Sequence, residues 1–321
     1  MVNSERSYLL PATILIALVC RILSYTWGLS VDIPLQETVD LWGTIPFLWQ
    51  TIATFGVALG LSFLAVRFST YYLLLQDGAF RPLVFYLLLL LGTQQAFFSL
   101  KPFTFLILLL LGLYFSLFGT YNRESAPHKA LNMGLSIGAS TLLWSPFLLL
   151  MPFVLLQFYS MKSLSPRNLI AFFLGLFLPL WIFVPFLLLP DVEDYAISNM
   201  NLMKEWGFSY SFGRASGFSW LYPVLLLSLY LISFAHLQLS YTAEKVVGRN
   251  YLFALSSVGF YLLILSAVMP AATEGLLYLS VLPISILAAR LLTKQKRRMA
   301  NLLAMLSAFA FLASFFLSVF F

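Results

Sequence analysis

Long apolar runs recur along the chain at nearly regular intervals, each about 20 residues long and separated by short polar stretches. A run of that length spans the roughly 30 Å hydrocarbon core of a bilayer as a helix. Strict apolar-polar alternation, the mark of barrel strands, is absent from these runs. In lipid the backbone must satisfy its own hydrogen bonds, so unbroken apolar runs predict helices. The pattern predicts about eleven spans, at 8–27, 44–66, 80–99, 102–119, 131–144, 146–161, 167–189, 218–238, 250–268, 273–291 and 300–320. The fifth and sixth are one run interrupted at Ser145-Pro146. Proline removes a backbone donor and clashes with the preceding turn, so two half-spans or a kinked pair are expected there.

Composition agrees with this all-α, polytopic reading. Hydrophobic residues are 61% of the 321 positions and charged residues 9%, against about 25% charged in soluble domains. No linker or low-complexity tract divides the chain, which reads as a single transmembrane domain over 1–321. The first run lacks a small-residue cleavage site and is read as a retained span.

Loop charge predicts orientation. Connections on one side hold Asp32, Glu37, Asp40, Asp191, Glu193, Asp194, Glu205 and Glu274 against few basic residues. Those on the other hold Arg67, Arg81, Arg123, Lys129, Lys162, Arg167, Lys245, Arg249 and the Lys294–Arg298 cluster. Cytoplasmic loops carry the Lys and Arg excess, so the N-terminus is expected inside and the C-terminus outside a cell inner membrane. The net charge of +6 then reflects topology, and no nucleic-acid partner is implied.

Several chemistries are set aside. One cysteine, Cys20, excludes a disulfide framework. His128 and His236 have no partner at ligand spacing, and no phosphate-binding glycine loop occurs. Gly56-x-x-x-Gly60 and Gly134-x-x-x-Gly138 are read as helix packing.

The polar residues concentrate in two outward connections, 28–43 and 190–217. In the first, Pro34 is placed to start a short helix lying flat on the membrane. Leu35, Val39 and Trp42 would share its apolar face, with Glu37 and Asp40 on the other. Asp32 precedes it, and Arg21 lies near the outer end of the first span. These carboxylates can serve a site, or only enforce orientation and solvate a loop. The second connection carries Asp191, Asp194, Lys204 and Arg214 with Tyr195, Trp206 and Tyr210. Aromatic faces beside hydrogen-bonding groups suit sugars or lipid headgroups, and equally an interfacial aromatic belt.

The first span ending in Arg21, the acidic outer loop with its flat helix, and the stretch LNMGLSIGASTLLWSPFLLLMPFVLLQFY at 131–159 together resemble the C superfamily of membrane glycosyltransferases. The likeness covers about 8–217 and leaves 218–321 as additional C-terminal helices. The stretches 73–189 and 267–303 look still more like an uncharacterised family of bacterial inner-membrane proteins. The glycosyltransferase resemblance implies transfer of a sugar from a polyprenyl phosphate, with an acidic residue of the first outer loop as base or metal ligand. That role maps to Asp32, Glu37 or Asp40, with Arg21 or Arg214 on the phosphate. The superfamily's adjacent acidic pair is missing, since Ile33 follows Asp32 and Thr38 follows Glu37. A divalent metal is compatible with these spacings and not demanded by them. Two other readings stand beside it. One is a noncatalytic scaffold holding protein partners of an envelope assembly. The other is a lipid or small-molecule transporter built on the Ser145-Pro146 break with Gln94 and Gln95.

Overall fold

A computed structural model describes residues 47–75, 80–93, 103–123, 125–188, 190–204, 206–207, 220–239, 246–295 and 297–320. The chain is 89% helical with eleven α-helices and no strand among the described residues. In chain order these are α1 Phe47–Tyr71, α2 Phe80–Thr93, α3 Phe103–Phe118, α4 Pro127–Leu143, α5 Leu150–Ser160 and α6 Pro166–Phe183. They continue with α7 Pro190–Asn201, α8 Leu221–Leu239, α9 Val246–Val268, α10 Thr273–Lys294 and α11 Arg297–Phe320. Six are long and apolar enough to cross a membrane, and three shorter apolar helices, Phe80–Thr93, Phe105–Phe118 and Ser145–Ser160, accompany them. The expected first span, 8–27, lies outside the described residues.

The buried residues form one cluster running from Ala58 in α1 to Phe311 in α11. At its centre is α10, buried along its whole apolar length. By contrast α6 and α11 are buried over less than a third of their apolar length, presenting Leu174, Phe177, Trp181, Met305 and Phe309 outward. In water such a surface would drive aggregation. In a bilayer it is solvated by acyl chains.

The closest helix pair is α4 against α6. A Cβ added at Gly134 would fall 2.0 Å from the Phe172 carbonyl, one at Gly138 2.4 Å from that of Leu176, and one at Gly175 2.2 Å from that of Leu131. Glycines from both helices therefore let the backbones touch, as expected for small residues in lipid. The other glycine pair behaves differently: Gly56 and Gly60 have nothing within 4 Å of an added Cβ. That motif is not a packing seam among the described residues.

Charge separates along the bundle. At one end Tyr72 donates to the Phe115 carbonyl at 2.7 Å, Tyr251 to that of Phe118 at 3.1 Å, and the Asn122 N–H to that of Met161 at 2.9 Å. Arg67, Arg123, Lys129, Lys162, Arg167, Arg249 and Lys294 stand on the turns or terminal helical turns there. At the other end α4, α7 and the α9–α10 turn meet, and the described acids Asp191, Glu193, Asp194 and Glu274 all lie there. With its last residue at the basic end and a rise of about 1.5 Å per residue, α1 starts at the acidic end. Phe47, the first described residue after the acidic 28–43 segment, is thus delivered to the end that carries α7.

Candidate functional site

The acidic end is organised around a broken helix. After Leu143 the chain passes through Trp144 in an extended conformation, turns through a 3-10 segment at Ser145–Leu149 and resumes as α5. The reason is local. Pro146 sits in the first turn of that 3-10 segment; it has no N–H to give the carbonyl four residues back, that of Leu142, and its ring clashes with that carbonyl, so α4 cannot continue through it. A break leaves the last carbonyls of α4 without intrahelical donors.

Those donors come from α7, 50 residues further on. The sequence places 190–217 in a loop. The structure forms a twelve-residue helix from its first part, with Pro190 as its first residue, where a missing N–H costs nothing. Asp191, Glu193 and Asp194 fall in or next to its first turn, where carboxylates complement the helix dipole. Tyr195 and Asn199, one helical turn apart, share a face. The Tyr195 hydroxyl donates to the Leu143 carbonyl at 2.8 Å and reaches that of Leu142 at 3.3 Å. Asn199 uses its whole side chain. Its Nδ2 donates to the Thr141 and Leu142 carbonyls, both at 3.3 Å, and its Oδ1 accepts the Ser145 N–H at 2.8 Å. The Ser145 hydroxyl donates to the Asn199 carbonyl. The carbonyls at the break thus already accept hydrogen bonds from protein. Burial pushes the Tyr195 hydroxyl above its usual pKa, so it stays a neutral donor.

Two further contacts fix this end. Leu202 is buried just beyond α7, and the Gly207 N–H donates to the Val268 carbonyl, the last residue of α9, at 2.9 Å. Trp144, also buried, lies so close to α10 that a Cβ at Gly275 would be 2.6 Å from its ring. The broken helix, α7, α9 and the first turn of α10 therefore form one unit joined by hydrogen bonds and packing.

Of the site residues read from the sequence, Asp32, Glu37, Asp40, Arg21, Arg214 and Tyr210 lie outside the described residues, as do Gln94 and Gln95. Asp191 belongs to the first turn of α7. Asp194 is exposed on the same helix. Trp206 is exposed beyond it, its Nε1 donating to the Met203 carbonyl at 2.8 Å. Among the described residues no group of three or more His, Cys, Asp or Glu is arranged to hold a metal ion. His128 is exposed at the basic end, and His236 lies in the last turn of α8.

Two features were not singled out from the sequence. One is the Asn199–Ser145 pairing. The other is Arg290, the sole charged side chain among the buried residues described, at 5% exposure. It stands on α10 and donates from Nη1 to the Leu74 carbonyl at 2.8 Å. Leu73, beside it, closes α1 with a φ of 51°, and the Leu74 N–H returns to the Ser69 carbonyl at 2.9 Å. Arg290 thus places a cation at the C-terminus of α1, where the helix dipole favours one.

Family DUF6427, a family of unknown function, matches residues 9–320. The chain belongs to this family. The match takes in every described helix, so the broken helix and α7 are parts of the family's matched region in this chain. No curated protein and no solved structure matches it. A membrane-embedded helical protein of DUF6427 is therefore the level at which fold and family meet.

Proposed function

We propose that this member of DUF6427 is a transferase of the glycosyltransferase C type, working at the acidic end on a sugar carried by a polyprenyl phosphate. The observation that supports it most is the anchoring of α7 to the broken helix. It fixes the described start of the second acidic connection, 190–204, at the end where α1 begins. In this reading Asp32, Glu37 or Asp40 takes the proton from the acceptor hydroxyl, and Arg21 or Arg214 holds the departing phosphate. Asp191, Asp194, Trp206 and Tyr210 line the approach of the sugar. The basic end faces the cytoplasm and the acidic end the outer side of a bacterial inner membrane, a reading supported by the separation of charge between the two ends.

A second reading is favoured by a specific feature. The central helix α10 is wholly buried, and the break is satisfied by protein donors, a construction suited to a rigid scaffold for envelope proteins. The deciding experiment replaces Asp32→Asn, Glu37→Gln and Asp40→Asn together. A general base contributes roughly 10²- to 10⁴-fold to rate. Transferase action predicts that the triple variant inserts at normal abundance and loses complementation of a deletion strain. Full complementation eliminates that action and leaves the scaffold.

A further inference from the structure

At the basic end the turns joining α3 to α4 and α5 to α6 are locked together. The Asn122 N–H donates to the Met161 carbonyl at 2.9 Å, and Ser163 Oγ to Thr120 Oγ1 at 3.3 Å. Asn168, fully buried, bridges both turns: its Oδ1 accepts the Ala126 N–H at 3.0 Å and its Nδ2 donates to the Ser163 carbonyl at 2.7 Å. Each turn also carries a non-glycine residue in the left-handed region, Asn122 and Lys162, both at φ 53°. Lys162 occupies the position after a helix where glycine is usual, with the Ser163 N–H closing back to the Phe158 carbonyl at 3.0 Å.

Beside the exposed Leu164, this lock presents cations. Arg123, Lys162 and Arg167 are all exposed. Arg123 and Lys162 each follow a member of the bonded Asn122–Met161 pair, so their backbones lie within about 10 Å, two to three residue lengths. Lys129 stands behind them, its ammonium 5.3 Å from the centre of the Phe115 ring. Among the described residues every acid is at the opposite end of the bundle. The one acid of these turns by sequence is Glu124. A set of cations held on a fixed backbone, at the level where apolar helices leave the hydrocarbon, faces a layer of phosphates.

We infer that the two interlocked turns are a docking site for anionic phospholipid headgroups. The site uses Arg123, Lys162 and Arg167 as phosphate donors, and the Asn168 bridge sets their spacing. It is independent of the transferase proposal and of which leaflet the basic end faces, because either leaflet offers headgroups there.

The test uses the full-length protein in mixed micelles, titrated with dioleoyl-phosphatidylglycerol or dioleoyl-phosphatidylcholine while thermal unfolding is followed. The anionic lipid is expected to raise the unfolding temperature at a lower mole fraction than the zwitterionic one. In Lys162→Gln/Arg167→Gln the half-saturating fraction should rise roughly tenfold or more. Arg67→Gln/Arg298→Gln removes the same charge from other exposed positions of the basic end and should keep the wild-type value. Equal responses to the two lipids overturn the inference. So do equal losses in the two double variants, which would mean diffuse attraction. Inorganic phosphate alone should give no comparable shift, and an equal shift overturns the assignment to lipid.

Discussion

Asn199 and Ser145 are paired twice: the Asn199 side chain accepts the Ser145 N–H at 2.8 Å, and the Ser145 hydroxyl donates to the Asn199 carbonyl. The pairing resembles a short stretch of strand ladder set between a broken helix and a surface helix. It explains how a proline break persists inside an apolar bundle, since it meets the hydrogen-bond demand that the break creates.

The pairing predicts a specific loss. Asn199→Ala removes donors and an acceptor from part-buried backbone groups, and a buried group left unmet costs about 1–3 kcal/mol at most. Ser145 is 4% exposed. In a variant lacking Cys20, Ser145→Cys should therefore resist a water-soluble maleimide, whereas the simple reading of an outer helix break expects it to react. Adding Asn199→Ala should make it react and should lower the unfolding temperature. Reaction of the single variant as fast as at an exposed position such as Asp194→Cys would show that α7 does not cover the break.

The two glycine motifs predict opposite outcomes for the same chemical change. Gly134→Ala and Gly138→Ala drive a methyl against the backbone of α6, which cannot yield as a side chain would, at a cost of about 1–3 kcal/mol. Gly56→Ala and Gly60→Ala meet nothing among the described residues and should leave stability unchanged or slightly improved. Unfolding temperatures of the four variants in one detergent check the contrast, and equal destabilisation of all four would count against the α4–α6 seam.

Much of the fold is legible in the pattern of apolar runs. The expected spans 250–268 and 273–291 correspond to Val246–Val268 and Thr273–Lys294, because a continuous apolar run has no other stable form in lipid. The break at Ser145-Pro146 is legible for the same reason, since proline acts locally. What the pattern misses is α7. Its twelve residues are largely polar, and its position depends on Tyr195 and Asn199 meeting carbonyls more than 50 residues away. Nothing in a local window shows that demand. The Gly56 and Gly134 motifs are indistinguishable by spacing, yet among the described residues only the second has a partner helix pressed against it. Arg290 is a different omission. An arginine inside an apolar run is a signal the sequence does carry, because a charge within a span marks a functional or structural bond by default.

Tyr195 predicts a pH dependence. Its hydroxyl bonds as the neutral form, and burial raises its folded-state pKa above the ordinary value of about 10. A group whose folded pKa is raised contributes stability fully below the unfolded value and loses it as pH rises through the folded one. The wild type should therefore lose stability more steeply than Tyr195→Phe between about pH 10 and the folded value, while the difference between them stays constant at lower pH. Unfolding temperatures of both proteins from neutral pH upward measure this. Parallel curves throughout would show that the Tyr195–Leu143 bond does not persist in solution.

The last prediction concerns the side of the membrane on which the two ends lie. Helix α10 runs from the acidic end, where Gly275 meets Trp144, to the basic end, where Arg290 holds the Leu74 carbonyl. The turn after it and the turns carrying Arg123 and Lys162 therefore share one side, and α7 has the other. Excess Lys and Arg is retained in the cytoplasm. A reporter fused within 294–298 is expected to be active only inside, and one fused after Phe321 or inserted after Lys204 only outside. The insertion after Lys204 is the informative one, because it reads the position of α7 without relying on the final span. Inside activity there, with outside activity at 294–298, would invert the bundle. It would also place every residue of the proposed transfer site on the cytoplasmic face, where a donor displayed on the outer leaflet cannot reach it.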